Sequence, residues 1–230
     1  MKTAIISDIH GNYPALEAVL ADIAKEKADV IYCLGDLVGY YCMINEVIET
    51  LRQRHISSLM GNHDYALVYN QGVIDRSKTC TKILSRHLSV IKEENLQFLK
   101  QCGSYFAVKA GGKNLYCVHG GLSDPVDEYI TTIDEHYFIK HRFGYDVLVS
   151  GHTHIPRNEV CGNKTYLNPG SVGQPRDGNP DACYLLISES GYVHKRVSYN
   201  IRKICDEMEK QGYDARIYQN LYKGRGVGSQ

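Results

Sequence analysis

Short apolar runs alternate with amphipathic stretches through the first half of this chain. Thr3-Ala4-Ile5-Ile6, Val30-Ile31-Tyr32-Cys33-Leu34, Ile56 to Met60, Asn114 to Val118 and Asp146 to Val149 read as buried strands. Between the first two runs, Leu16, Val19, Leu20 and Ile23 recur at helical spacing and predict a helix from about Tyr13 to Lys27. Pro14 falls in its first turn, where a missing N–H costs nothing. Ile44, Val47, Ile48 and Leu51 repeat that spacing in a second helix. Residues 76–101 also read as helical, with Leu84, Leu88 and Ile91 on one face, either as a plain packing pair or as a cap over a site. Beyond Tyr105 the pattern turns strand-rich. Three hairpins are expected, around Ala110-Gly111-Gly112-Lys113, Gly162-Asn163 and Glu189-Ser190-Gly191. Ile201, Ile204, Cys205 and Met208 start a last helix, and Gly224 to Gln230 reads as a flexible tail. No internal repeat or linker divides the chain, so residues 1–223 are expected to form one α/β (α+β) domain.

Polar motifs follow the strand-like runs. They are Asp8-Ile9-His10, Gly35-Asp36, Gly61-Asn62-His63-Asp64, His119-Gly120 and Gly151-His152-Thr153-His154. Each puts oxygen or imidazole donors just past the C-terminal end of a strand, where open α/β sheets place their ligands. Residues two apart point the same way in extended backbone, so Asp8 with His10, and His152 with His154, can converge. Singly each motif has a bland reading. Asp-x-His after a strand is commonly a surface turn, and Gly-Asn-His-Asp suits a helix N-cap. Five in this order point to a binuclear metal centre that hydrolyses phosphate esters. A donor set of carboxylate, amide oxygen and imidazole, without clustered thiolates, suits Mn, Fe, Zn, Ni or Co. It holds too many histidines for a Mg-only or Ca-only site. A bridging carboxylate would hold two cations roughly 3.5–4 Å apart.

This set resembles the calcineurin-like metallophosphoesterase superfamily, specifically its compact prokaryotic phosphodiesterase branch. The resemblance runs from Met1 to about Val197 and includes Ser7 to Asn12, Leu34 to Tyr40 and Asn168-Pro169-Gly170-Ser171-Val172-Gly173-Gln174-Pro175-Arg176. It implies a four-layer αββα sandwich of two mixed sheets flanked by helices. By motif position it implies that Asp8, His10 and His154 hold one metal and that Asn62, His119 and His152 hold the other, with Asp36 bridging. It also implies that His63 faces the substrate, oriented by Asp64. The expected cofactors are two divalent transition-metal ions, Mn first. The expected reaction is attack of metal-bound hydroxide on a phosphodiester, with His63 protonating the leaving oxygen. Arg176 is a candidate for binding a non-bridging oxygen or a second phosphate, and Tyr40 and Tyr41 for walls of the leaving-group pocket. The loop from Leu37 to Met43 departs from the family pattern after Gly35-Asp36, so no relative's substrate is carried over. The alternatives are a phosphomonoesterase or nucleotide pyrophosphatase of the same fold, or a non-catalytic scaffold. Scaffold descendants commonly lose ligands, whereas every motif position is filled here.

Composition narrows the partners. With 26 basic and 26 acidic residues, no net field draws in nucleic acid or an anionic membrane, and nucleic acid is expected only as a substrate. A small, nucleotide-like phosphorylated substrate is expected instead. Two local basic groups, Lys82-Arg86-His87 and Lys140-His141-Arg142, read as solvated faces. His55, His87, His136, His141 and His194 match no motif and read as surface histidines. None of the 8 cysteines sits in Cys-x-x-Cys spacing, and Cys33, Cys117 and Cys183 lie in apolar runs as small hydrophobes. Neither a signal-peptide pattern nor an apolar run of about 20 residues is visible, so a cytoplasmic location is expected.

Overall fold

The computed structural model describes residues 1–69, 78–140 and 144–227. Two five-stranded sheets stack face to face. The first has the order β10-β9-β1-β2-β3 and comprises β1 (Thr3–Ile6), β2 (Val30–Cys33), β3 (Ser57–Ser58), β9 (Ala182–Ser188) and β10 (Gly191–Val197). The second has the order β4-β5-β6-β8-β7 and comprises β4 (Tyr105–Ala110), β5 (Lys113–Val118), β6 (Val147–Ser150), β7 (Arg157–Cys161) and β8 (Lys164–Asn168). Parallel pairs form the middle of each sheet: β1 with β2 in the first, β5 with β6 and β6 with β8 in the second. Hairpin partners close three of the four flanks, because tight turns can join only antiparallel strands, and β3, parallel to β2, ends the first sheet.

Side-chain alternation assigns each strand residue to a layer. Ile5, Leu34, Leu115, Cys117, Val147, Val149, Leu185 and Ile187 meet between the sheets. Ala4, Ile6, Tyr184 and Leu186 point the other way, onto α1 (Tyr13–Lys25) and α2 (Ile44–Gln53). On the far face of the second sheet, Val118, Leu148 and Tyr166 pack with Ile130, and with Phe138 of α6 (Glu135–Lys140). The outer helical layer on this side is thus thin, but the order helix, sheet, sheet, helix is the expected one.

Local signals explain most boundaries. Asn12 caps α1 by accepting from Ala15 N–H at 3.3 Å, and the expected stripe Leu16, Val19, Leu20 and Ile23 is buried. That helix stops at Lys25, short of the expected end, because Lys27 adopts a left-handed φ of 55°. In α2 the buried residues are Ile44, Val47, Ile48 and Leu51, as the spacing predicts. All three hairpins form. Gly111 and Gly112 turn the first with φ of 55° and 74°, the geometry two-residue hairpins need. The third strand is two residues long, and just past it Leu59 donates to Cys33 O at 2.9 Å and bridges Gly103.

After α3 (Asn62–Tyr69), the 76–101 stretch divides into α4 (Lys78–Val90) and α5 (Glu93–Gln101); residues 76 and 77 lie outside the described residues. Leu84 and Leu99 are buried in the same cluster as α2, and Asn45 receives and makes hydrogen bonds at the α4–α5 junction. The stripe of α4 differs from expectation: Ile83, Leu84 and His87 are buried, while Leu88 is 42% exposed. The helix is rotated by about one residue, which turns His87 inward. Residues 224–227 also depart from expectation. Gly224 is buried and its carbonyl accepts from Gly178 N–H at 3.0 Å, so the expected tail is packed as far as Val227, and 228–230 lie outside the described residues.

Candidate metal centre

The strand ends bring all seven predicted ligands together beneath one surface. Asp8, His10, Asp36 and His154 form one group, and Asp36, His119 and His152 a second; within each group the donor atoms lie within 4.8 Å of one another. Asn62 joins the second group, its Oδ1 lying 3.2 Å from His119 Nε2. All are buried. The convergence is not the extended one expected from i, i+2 spacing. Asp8, His10, Asp36, His152 and His154 all have left-handed backbone, with φ between 52° and 65°. Such a conformation in a non-glycine residue costs of order 1–3 kcal/mol and survives only where the surroundings impose it. Here they do. Asp8 N–H donates to Gly35 O, His10 N–H to Asp36 O, Gly173 N–H to Asp8 O and Gly151 N–H to His119 O, each at 2.9–3.0 Å.

Ring orientation is fixed in the same way. His10 Nδ1 donates to Val38 O at 2.8 Å, His119 Nδ1 to Leu34 O at 3.0 Å and His154 Nδ1 to Gln174 O at 2.7 Å. Each bond turns Nε2 inward, the arrangement that orients histidine toward a metal. His10 Nε2 and His154 Nε2 then face one another at 3.1 Å with no proton available to either. Asp8 Oδ1 and His152 Nε2 are buried without a hydrogen-bond partner. Two donors each about 2.1 Å from a shared cation lie roughly 3–3.4 Å apart, so lone pairs at this spacing fit a cation between them. Asp36 is divided: Oδ1 accepts from His63 N–H at 2.9 Å, while Oδ2 lies 3.5 Å from His10 Nε2 and 3.4 Å from His119 Nε2.

Electrostatics tell the same story. Burial would raise the Asp8 and Asp36 carboxyls, yet the imidazoles of His154 and His119 around them hold both well below the ordinary carboxylate range. Burial would lower His119, but Asp36 beside it pushes it up to about 9. The carboxylates thus call for positive charge in the centre. His10 and His152 are pushed down by burial, His152 to about 3, and so are neutral, the form in which imidazole could hold a metal.

His63 lies at the edge of this cluster, its ring 4.9 Å from those of His10 and Tyr40. Its Nδ1 has no hydrogen-bond partner, and burial pushes it down to about 4. Gly39 backs it closely: at φ 93°, a Cβ there would come 2.5 Å from His63 Nδ1. Asp64 does not orient His63, contrary to expectation. Its Oδ1 accepts from Leu37 and Val38 N–H at 2.9 and 3.0 Å, and its Oδ2 from Gly61 N–H at 3.0 Å. It ties the Asp36 loop to the Asn62 turn. Gly61 must be glycine there, since a Cβ would sit 2.2 Å from Asp36 Oδ1.

Arg176 reaches the rim, donating to Gln174 Oε1 at 2.7 Å and to the Tyr40 hydroxyl at 3.2 Å. Tyr40 lines the same cleft as Arg176. Tyr41 does not: it is 1% exposed, and its hydroxyl accepts from Gln174 Nε2 at 3.0 Å, so it supports the rim from within the core.

Other residues at the site carry no motif. Gln174 links His154 to Arg176. Asp127 Oδ1 lies 3.6 Å from His152 Nε2, and the Tyr129 ring lies 5.1 Å from that of His152. His87 is fully buried, accepting from Gly39 N–H at 3.4 Å, and is a correction to its reading as a surface histidine. His194 is half-buried on Asn168 O, and His55 and His136 are exposed. With His87 inside, Lys82-Arg86-His87 is no basic face, and Arg86 lies over Tyr213. His141 and Arg142 lie outside the described residues.

The family model of the calcineurin-like phosphoesterase superfamily domain matches residues 1–191. This chain belongs to that superfamily. An uncharacterized protein of Methanocaldococcus jannaschii is 35% identical over 241 residues, covering 96% of this chain and 98% of its own. Phosphodiesterase YfcE of Escherichia coli is 28% identical, over 82% of this chain and 89% of its own. The crystal structure of a metallophosphoesterase from Sphaerobacter thermophilus superposes with a TM-score of 0.81 at 29% identity, over 97% of this chain and 99% of that one. The calcineurin-like chain is accordingly a phosphoester hydrolase with a buried Asp/His cluster compatible with a metal site. Among the described residues, no helix is long and apolar enough to cross a membrane.

Proposed function

We propose that this calcineurin-like chain is a binuclear-metal phosphodiesterase acting on nucleotide-like phosphate esters. The observation that carries the reading is Asp36 Oδ2, which faces His10 Nε2 at 3.5 Å and His119 Nε2 at 3.4 Å and so belongs to both ligand groups. Asp8, His10 and His154 would hold one cation, and Asn62, His119 and His152 the other, with Asp36 between. Mn heads the candidates for the metal, followed by Fe, Ni, Zn and Co. Bound divalent cations supply charge for the phosphoryl oxygens and acidify a water. The chain does the rest. His63, outside both ligand groups, hands a proton to the leaving oxygen, and the negative phosphate beside it favours the imidazolium that burial otherwise opposes. Arg176 takes a non-bridging oxygen, and Tyr40 walls the leaving group. The 8 free cysteines fit a reducing compartment, and the cytoplasm is the location proposed.

Reconstitution with Mn, elemental analysis and turnover of bis-nitrophenyl phosphate test this reading. Two ions per chain with turnover are expected. One ion with full activity overturns the binuclear assignment, and metal binding without turnover of any diester or monoester leaves the scaffold reading.

A further inference from the structure

Three consecutive residues after Asp36 are buried, and each of their N–H groups needs an acceptor. Those of Leu37 and Val38 donate to Asp64 Oδ1. The third, of Gly39, donates to His87 Nδ1 at 3.4 Å. Asp64 belongs to the turn that carries His63, whereas His87 comes from α4 and matches none of the five polar motifs.

Packing alone does not ask for histidine at this position. The ring is fully buried, on the inner face of α4 with Ile83 and Leu84, and its Nε2 has no hydrogen-bond partner. An unpaired polar atom out of water is costly, and an aliphatic side chain would avoid that cost. What imidazole offers and leucine cannot is an acceptor at Nδ1. Burial, with His63 adding to it, outweighs the nearby Tyr41 carbonyl and keeps the ring neutral at pH 7, so Nδ1 retains its lone pair.

The Gly39 N–H matters because of what Gly39 touches. Its φ is 93°, and a Cβ there would come 2.5 Å from His63 Nδ1 and 3.1 Å from His10 Nδ1. The Gly39 backbone is thus wedged against the His63 ring. The next residue, Tyr40, places its ring 4.9 Å from that of His63 and lines the rim cleft with Tyr129, Arg176 and Arg225. The backbone of His63 is held, its N–H donating to Asp36 Oδ1, but Nδ1 of its ring has no hydrogen-bond partner. The direction of the ring is therefore set by packing against Gly39, Tyr40 and His10. A general acid has to meet the leaving oxygen within about 2.6–3.2 Å. A ring held by packing is only as well aimed as the loop behind it.

We propose that His87 is a positioning residue: by accepting the Gly39 N–H it holds the loop that aims His63 at the leaving oxygen. This rests on the reading of His63 as the proton donor and adds α4 to the catalytic apparatus.

The test measures turnover by the Mn-loaded full chain as wild type, His87→Leu and His87→Asn. The substrates are bis-nitrophenyl phosphate and diphenyl phosphate, whose phenolate needs the proton more. Leucine fills the site without an acceptor, and asparagine keeps an acceptor, Oδ1, close to where Nδ1 stands. Misplacing a reacting group by about 1 Å can cost about 10²-fold. For His87→Leu, kcat on diphenyl phosphate should therefore fall about 10- to 10²-fold, with KM and metal content unchanged. The loss should be smaller on bis-nitrophenyl phosphate and partly recovered in His87→Asn. In a His63→Ala background, His87→Leu should cost nothing further. His87→Met gives the same comparison if the leucine chain does not fold. An unchanged kcat on diphenyl phosphate, an equal loss on both substrates, no recovery with asparagine, a loss that adds in full to that of His63→Ala, or loss of metal each overturns the proposal. If His63→Ala itself leaves turnover untouched, the reading of His63 as the acid fails, and this inference with it.

Discussion

His10, His119 and His154 each hand Nδ1 to a backbone carbonyl, on Val38, Leu34 and Gln174. Tyr40, Tyr129, Arg176 and Arg225 above them have different anchors: hydroxyls, an amide side chain and a length of packed C-terminal chain. The floor of the site is thus fixed by buried backbone carbonyls just past the strands, and the wall by contacts between segments remote in sequence. Strand ends move only if the sheets move, so the floor suits chemistry that needs donors held to a few tenths of an ångström. A wall of side chains and loops can change between relatives without disturbing that floor. On the function proposed above, catalysis belongs to the floor and substrate choice to the wall.

Breaking the floor should have the largest consequence. Asp36→Asn replaces the one carboxylate that faces both ligand groups with a neutral amide, which offsets less of the repulsion between two cations. Loss of an outer-shell partner typically costs 10–100-fold in metal affinity or activity, so this substitution should cost more than about 10³-fold and exceed loss of Asp8 or of any histidine ligand. Retention of two metals with near-normal turnover would remove Asp36 as the bridge.

His63→Ala separates the chemistry from the floor. Metal content should remain that of the wild type, because His63 Nδ1 and the ligand nitrogens are distinct groups, while turnover falls about 10²–10⁴-fold. The loss should shrink for nitrophenolate, a leaving group that needs little protonation. A uniform loss across leaving groups would argue against His63 as the acid, and loss of metal would make it a ligand.

Asp64→Ala tests what ties the two halves of the floor. Three backbone N–H groups, of Leu37, Val38 and Gly61, lose their acceptor in a buried place. At 1–3 kcal/mol for each unsatisfied donor, partly relieved by relaxation, stability should fall by about 3 kcal/mol. Denaturant unfolding of the metal-free chain measures it. A loss below about 1 kcal/mol would mean that water replaces the carboxylate.

The floor was legible in sequence because its signals are local. An apolar run fixes a strand, the residue after it lands at the sheet's end, and the five motifs follow the parallel strands β1, β2 and β3 of one sheet and β5 and β6 of the other. What the pattern could not give is the backbone state: nothing in Asp8-Ile9-His10 announces left-handed φ at both ends, since hydrogen bonds from segments more than 25 residues away impose it. Asp64 illustrates the limit. Its place beside His63 suggests a partner, whereas the N–H groups of Gly61 in its own turn and of the distant Leu37 and Val38 claim the carboxylate. Tyr41, Asp127, Tyr129 and Arg225 owe their positions wholly to tertiary packing. The helical stripe in α4 differs from the spacing by a single position, since Leu88 is the more apolar residue and only the packing surface opposite selects His87.

His87 offers the smallest and most specific test of that rotation. Its ring is fully buried against the Gly39 loop that backs His63, and burial, with the neighbouring His63 adding to it, pushes it down from 6.5 to about 3. The unfolded chain protonates this imidazole below about pH 6.5 and the folded chain does not until near pH 3. Between those values the unfolded state binds more protons, so stability contributed at neutral pH is lost as pH falls. At pH 5, about 1.5 units below the unfolded value, the loss should reach about 2 kcal/mol. Other histidines of the metal-free chain titrate as well, so the measured quantity is a difference. Urea midpoints at pH 7 and pH 5 should show the wild type losing about 2 kcal/mol more than His87→Leu, whose side chain fills the site without a proton to gain. Equal losses in the two chains would mean that His87 reaches water, and that α4 presents Leu88 to the core after all.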